Sequence, residues 1–138
     1  MEEYISKSNE ETLNIAKNFA ETLKIGDIIL LDGDLGAGKT VFSKGVVSKL
    51  SNDEITAVSP TFVIVNVYNT SPPVYHFDLY RIGDESELDA IGAYEYFYGN
   101  GICLVEWPSR ALDVFPENAI KVNIEKINDN ERKIIIER

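Results

Sequence analysis

Residues Gly33–Thr40 read GDLGAGKT. Their spacing fits the pattern G-x-x-x-x-G-K-[ST] of a phosphate-binding loop. The residues before it, Ile28-Ile29-Leu30-Leu31-Asp32, form an apolar run suited to a buried strand. The residues after it, Val41 to Leu50, carry apolar side chains at helical spacing. The motif therefore lies between a strand and a helix, the context it needs to hold an anion.

Each residue type in the loop has a physical task. Gly33, Gly36 and Gly38 let the backbone take dihedrals that strain other residues and bring N–H groups close to a ligand. Together with Asp34, Leu35 and Ala37 they line an anion-binding nest. The helix that opens at Thr40 and Val41 adds free N–H groups and its positive dipole end. Lys39 can reach the β- and γ-phosphates of a nucleotide, and the Thr40 hydroxyl can ligate Mg²⁺. A glycine-rich turn before an ordinary helix is the plainer alternative.

With 138 residues the chain is expected to form one domain, residues 1–138. Its 44% hydrophobic and 26% charged residues are a globular composition. The net charge of −10 argues against gripping nucleic acid directly, because that affinity comes largely from Lys and Arg neutralising phosphates. The single cysteine, Cys103, excludes an intrachain disulfide and reads as a buried strand residue. With His76 the only histidine, a zinc site lacks ligands. No apolar run is long enough to span a membrane and the N-terminus is not a signal peptide, so a cytoplasmic location is expected.

Glu3–Ser6 suggests a short strand. Ser8 and Glu11 form a capping box for a helix over Asn9–Lys24, with Gly26 as its stop. After the loop and its helix, Phe62–Asn69 and Val74–Tyr80 read as an antiparallel hairpin about a turn at Thr70-Ser71-Pro72-Pro73. Asp84–Ile91 and Tyr94–Tyr98 suggest short helices separated by Gly92. Ile102–Val105 is a further strand, ended by Pro108 before a short helix at Ser109–Val114. Ile120–Ile127 and Arg132–Ile136 read as a C-terminal hairpin. This order predicts an α/β, three-layer fold like that of the P-loop NTPases, with a mixed sheet that is parallel at its centre.

Further residues are candidates for chemistry. A phosphate loop needs a second acid to hold the metal's water shell, commonly at the end of a neighbouring parallel strand, and Glu106 after Ile102–Val105 fits. A solvated strand-end carboxylate has the same pattern. On a strand, His76, Asp78 and Tyr80 share one face, and Asp78 is the natural base or water positioner. Arg81 can reach a phosphate or pair with a carboxylate. A half-exposed strand with a lone histidine accounts for this cluster equally well. Thr61 lies in a loop, Ser59-Pro60-Thr61, where nucleotide switches often place a Mg²⁺-binding hydroxyl, and where turns also place threonine. Trp107 suits either the core or a stacking surface, and Arg110 either a phosphate or Glu106.

GDLGAGKT, SPTF, HFDLYR and LVEWPSR occur in the order found in the TsaE (formerly YjeE) family, which the chain resembles over nearly its whole length. That family comprises small bacterial ATPases required for the threonylcarbamoyl modification of adenosine 37 in tRNA. The resemblance implies that ATP and Mg²⁺ are the cofactors and that Lys39 and Thr40 bind phosphates and the ion. It further implies that Thr61 sits in a switch-like loop, that Asp78 serves hydrolysis, that Glu106 is the metal-side carboxylate and that Trp107 lies near the nucleotide. It implies TsaD and TsaB as partners, with tRNA contacted only indirectly. Where the family carries Glu before the final Arg of its last motif, this chain has Ser109.

Two other readings compete. A small-molecule kinase usually needs several arginines over the transferred phosphate, and this chain has only Arg81, Arg110, Arg132 and Arg138. A guanine-specific switch usually carries an N-K-x-D loop, which is absent from the sequence.

Overall fold

The computed structural model describes residues 1–34, 36–57, 64–84 and 86–138. Elements follow in the order β1 (Glu2–Ser6), α1 (Asn9–Ala20), β2 (Ile28–Asp32), α2 (Lys39–Leu50), β3 (Val65–Tyr68) and β4 (Val74–Asp78). Then come α3 (Ser86–Ala90), α4 (Ala93–Phe97), β5 (Ile102–Glu106), β6 (Ile120–Lys126) and β7 (Arg132–Glu137). Short 3-10 turns at Pro108–Arg110 and Leu112–Val114 replace the expected single helix over Ser109–Val114.

Among the described residues the strands form one seven-stranded sheet in the order β1-β7-β6-β2-β5-β4-β3. The pairs β6–β2, β2–β5 and β5–β4 are parallel, and the outer pairs are antiparallel. This is the expected mixed sheet with a parallel centre. Both predicted hairpins are present, β3 with β4 and β6 with β7.

The sheet separates two apolar cores. Ile29 and Leu31 of β2 and Ile102 and Leu104 of β5 face α1 and α2, among Ala16, Phe19, Phe42, Val46 and Val47. The alternate residues Ile28, Leu30, Cys103 and Val105 face the other way, onto Phe77, Leu88, Ala93 and Phe97. Coverage on both faces is why β2 and β5 read as unbroken apolar runs rather than alternating ones. Cys103 is buried as expected, and burial pushes its thiol pKa up to about 12.

The element ends differ from expectation for local reasons. At the start of α1 the Ser8 Oγ accepts from the Glu11 N–H at 3.1 Å, but the Glu11 carboxylate accepts from Lys7 N–H at 2.7 Å, one residue beyond the usual box. The helix ends at Ala20 instead of Lys24, because tighter bonds take over: Thr22 N–H and its Oγ1 both donate to the Phe19 carbonyl. Strand β4 ends at Asp78 instead of Tyr80. The Asp78 carboxylate accepts the Tyr80 N–H at 3.0 Å, an Asx-type turn that competes with strand continuation. Gly92 separates α3 from α4 as predicted, at φ 70°. Among the described residues no helix is long and apolar enough to cross a membrane.

Candidate phosphate-loop site

Strand β2 delivers the chain to the loop at the centre of the sheet, at the C-terminal ends of the parallel strands, where ligands of open α/β sheets collect. Gly33 is forced by space: a Cβ there would lie 2.6 Å from the Ile124 carbonyl of β6. Gly36 and Gly38 take φ of 80° and 106°, conformations that L side chains rarely adopt. Gly38 is the residue before α2 and supplies no side-chain cap, so the first N–H groups of that helix lack the partner that a Ser or Asp would give. Helix α2 thus begins with uncapped N–H groups, the arrangement that suits an anion, with Lys39 and Thr40 in its first turn and Val41 next. Leu35 and Thr61, both expected at the site, lie outside the described residues.

Parallel register aligns the acids. Leu31 of β2 pairs with Glu106 of β5, and Glu106 pairs with Asp78 of β4. Asp32, Glu106 and Asp78 therefore end three adjacent strands beside the loop. Lys39 folds back among them. Its ammonium is buried, has no hydrogen-bond partner among the described residues, and lies 3.6 Å from the centroid of the Trp107 ring. A cation over an indole face is electrostatically favourable but does not replace hydrogen bonds. Burial lowers the Lys39 pKa, and the surrounding carboxylates, Glu106 first and then Asp32, Asp78 and Asp34, oppose that fall. Asp78 is half-buried, and its pKa is raised chiefly by that burial, against the Tyr80 N–H that favours the charged form.

Trp107 reaches Lys39 through a strained turn. It stands at φ 57° immediately before Pro108, where a large residue costs on the order of 1–3 kcal/mol. Its ring also lies 4.8 Å from that of Tyr80, which in turn has the Arg110 guanidinium 5.4 Å from its ring centroid. Tyr80 therefore lies beyond the end of β4, in an aromatic rim with Trp107. Arg110 sits on that rim, and Arg81 is exposed beside it.

His76 is neither half-exposed nor alone. It is 1% exposed, and its Nε2 is hydrogen-bonded to the Glu106 Oε2 at 2.5 Å. Glu106 is itself 4% exposed, so it is not a solvated strand end. The pair fixes one carboxylate oxygen at the base of the site. Period-two alternation placed His76 and Asp78 on one face, but only the order β5-β4 brings His76 to Glu106.

Arg132 went unmarked by any motif. From the first residue of β7 its Nε donates to the Ala37 carbonyl at 2.9 Å and its Nη2 to the Gly36 carbonyl at 3.2 Å. No local pattern signals a contact across 95 residues of sequence.

The sheet, the glycine loop and the helix that follows define an α/β protein of the P-loop class. Residues 6–134 match the family model described as threonylcarbamoyl adenosine biosynthesis protein TsaE. A tRNA threonylcarbamoyladenosine biosynthesis protein TsaE from Bacillus subtilis is 46% identical over 126 residues, covering 91% of this chain and 78% of that protein. Its counterpart from Treponema pallidum is 35% identical, covering 96% and 97% of the two chains. The crystal structure of YdiB from Bacillus subtilis superposes with a TM-score of 0.79 at 39% identity, covering 96% of this chain and 82% of that one. The chain belongs to the TsaE family.

Proposed function

We propose that this protein is a Mg²⁺-dependent ATPase that serves the threonylcarbamoyl modification of adenosine 37 in tRNA, acting with TsaD and TsaB as a single-domain cytoplasmic subunit. Membership of a family named for that biosynthesis supports the pathway. The observation that carries the chemistry is a buried Lys39 ammonium with no hydrogen-bond partner among the described residues, beside an uncapped helix N-terminus and strand-end carboxylates. An ammonium so placed lacks the oxygen partners that nucleotide phosphates offer.

In this reading the Gly33–Thr40 backbone cradles the phosphates, Lys39 binds the β- and γ-oxygens, and Trp107 flanks the nucleotide. Asp34, Leu35, Ala37 and Val41 contribute backbone contacts, and Thr61 serves as a nucleotide-binding residue. Among the described residues no three His, Cys, Asp or Glu side chains gather as a metal cage. Mg²⁺ commonly keeps its waters and takes one or two protein groups plus substrate phosphates. Thr40 and Glu106 would hold it, and when bound it supplies charge neutralisation at the phosphate oxygens.

Asp78 positions the attacking water and accepts its proton as the water oxygen bonds to the γ-phosphorus and the bond to the β–γ bridging oxygen breaks. Its raised pKa makes it a better proton acceptor than a solvated aspartate. The acidic chain leaves tRNA to the partners, so that contact with tRNA is indirect.

Isothermal titration with ATP and a phosphate-release assay, with and without TsaD and TsaB, test the reading. Lys39→Ala is expected to lose ATP binding. Asp78→Ala is expected to keep the affinity and slow turnover on the order of 100-fold or more. Undiminished ATP hydrolysis by Lys39→Ala would refute the assignment, and lost binding by Asp78→Ala would make Asp78 a binding residue instead.

A further inference from the structure

The guanidinium of Arg132 makes hydrogen bonds in two directions. Toward the site, Nε and Nη2 donate to the carbonyls of Ala37 and Gly36, at 2.9 and 3.2 Å. Away from it, Nη1 donates to the carbonyls of Asn128 and Glu131, at 2.7 and 3.0 Å. The turn that receives these last bonds is itself braced, because the Asn128 Oδ1 accepts from the N–H groups of Asn130 and Glu131, each at 2.9 Å. Arg132 therefore ties a firm hairpin turn to the middle of the glycine loop.

The consequence follows from peptide geometry. A trans peptide points its N–H opposite its C=O. Holding the Ala37 carbonyl on Arg132 aims the Gly38 N–H in the other direction, away from the β6–β7 hairpin. The Gly36–Ala37 peptide is held at both ends, since the Ala37 N–H donates to the Asp34 carbonyl at 3.0 Å. Glycines at φ 80° and 106° flank this segment and leave it free to flip. The fork removes that freedom, and its charge offsets the two carbonyl dipoles that would otherwise repel an anion nearby.

We propose that Arg132 is the positioning residue of the phosphate loop, holding the Gly36 and Ala37 carbonyls outward so that the loop is ordered for a nucleoside triphosphate before one arrives. This rests on the reading of the loop as a nucleotide site. A lysine keeps the charge but cannot reproduce the fork, so Arg132→Lys separates geometry from net charge, and Arg132→Met removes both.

Two measurements on the full chain decide it: amide hydrogen exchange over residues 36–41 without nucleotide, and ATP affinity by calorimetry. Both variants are expected to keep the far-ultraviolet dichroism of the wild type and slow exchange in β2. Exchange in the loop should accelerate at least about tenfold, and ATP should bind at least about tenfold more weakly. Loop exchange at the wild-type rate in either variant overturns the proposal. So does ATP affinity for Arg132→Lys equal to the wild type, because charge alone would then suffice. If Arg132→Met does not fold, Arg132→Lys carries both readouts. If the wild type itself fails to bind ATP, the nucleotide reading falls, while the exchange measurement still tests the ordering of the loop.

Discussion

Replacing Gly45 of α2 by alanine sets two effects of opposite sign against each other. A glycine inside a helix costs about 1 kcal/mol relative to alanine, so the local effect favours the substitution. The structure opposes it. A Cβ on Gly45 would lie 2.5 Å from the Ala16 Cβ and 2.8 Å from the Leu13 carbonyl oxygen, both on α1. Carbon atoms rest at about 3.5–4.0 Å, so the helices would have to part by about 1 Å. The Leu13 contact is backbone and cannot rotate aside. Parting would also loosen Phe19 against Phe42, whose ring centroids are 5.6 Å apart in the same interface.

Overpacking of this kind costs about 3 kcal/mol at the upper end of its usual range, which leaves a net loss of about 2 kcal/mol after the helix gain. At about 2.1 cal/mol/K per residue, a 138-residue chain has an unfolding entropy near 0.29 kcal/mol/K, so the midpoint should fall by about 7 °C. Urea titration and differential scanning calorimetry read the two quantities. The paired change Gly45→Ala with Ala16→Gly should recover part of the Cβ overlap beyond additivity, leaving the Leu13 contact. A Gly45→Ala protein as stable as the wild type, or more so, would refute the close approach of α1 and α2.

Two further outcomes follow from the buried groups. His76→Phe strands the Glu106 carboxylate without its 2.5 Å partner, and the loss should be about 3 kcal/mol, with Lys39 sharing the compensation. Adding Glu106→Leu should restore much of it, and a cycle additive within about 0.5 kcal/mol in urea would show that the pair is not coupled. Cys103, with its thiol pushed up to about 12 and 1% exposed, should resist a disulfide reagent at pH 8 until the chain unfolds. Only about one thiol in ten thousand is ionised there even before access is considered. Full labelling of the native protein within minutes would contradict its burial.

Much of the site was legible because it is local. GDLGAGKT is contiguous, and its glycines, lysine and threonine act through their own dihedrals and the first turn of their own helix. The fully buried strands β2 and β5 announced themselves by unbroken apolar runs, and Glu106 by its place at the end of one. The end of β4 was misplaced by two residues, because the side-chain bond from Asp78 to the Tyr80 N–H competes with a strand pattern that continues past it.

The remainder depends on which strands become neighbours. Sequence alone determined a glycine-rich loop between a strand and a helix, since those conformational preferences and hydrogen bonds lie within a few residues of one another. Only the strand order β6-β2-β5-β4 joined His76 to Glu106, lined Asp78 up with both, and set Trp107 over Lys39. Only the return of β7 carried Arg132 to the carbonyls of Gly36 and Ala37. Those contacts form when apolar faces pack into two cores, and that packing holds polar partners together however far apart they lie along the chain.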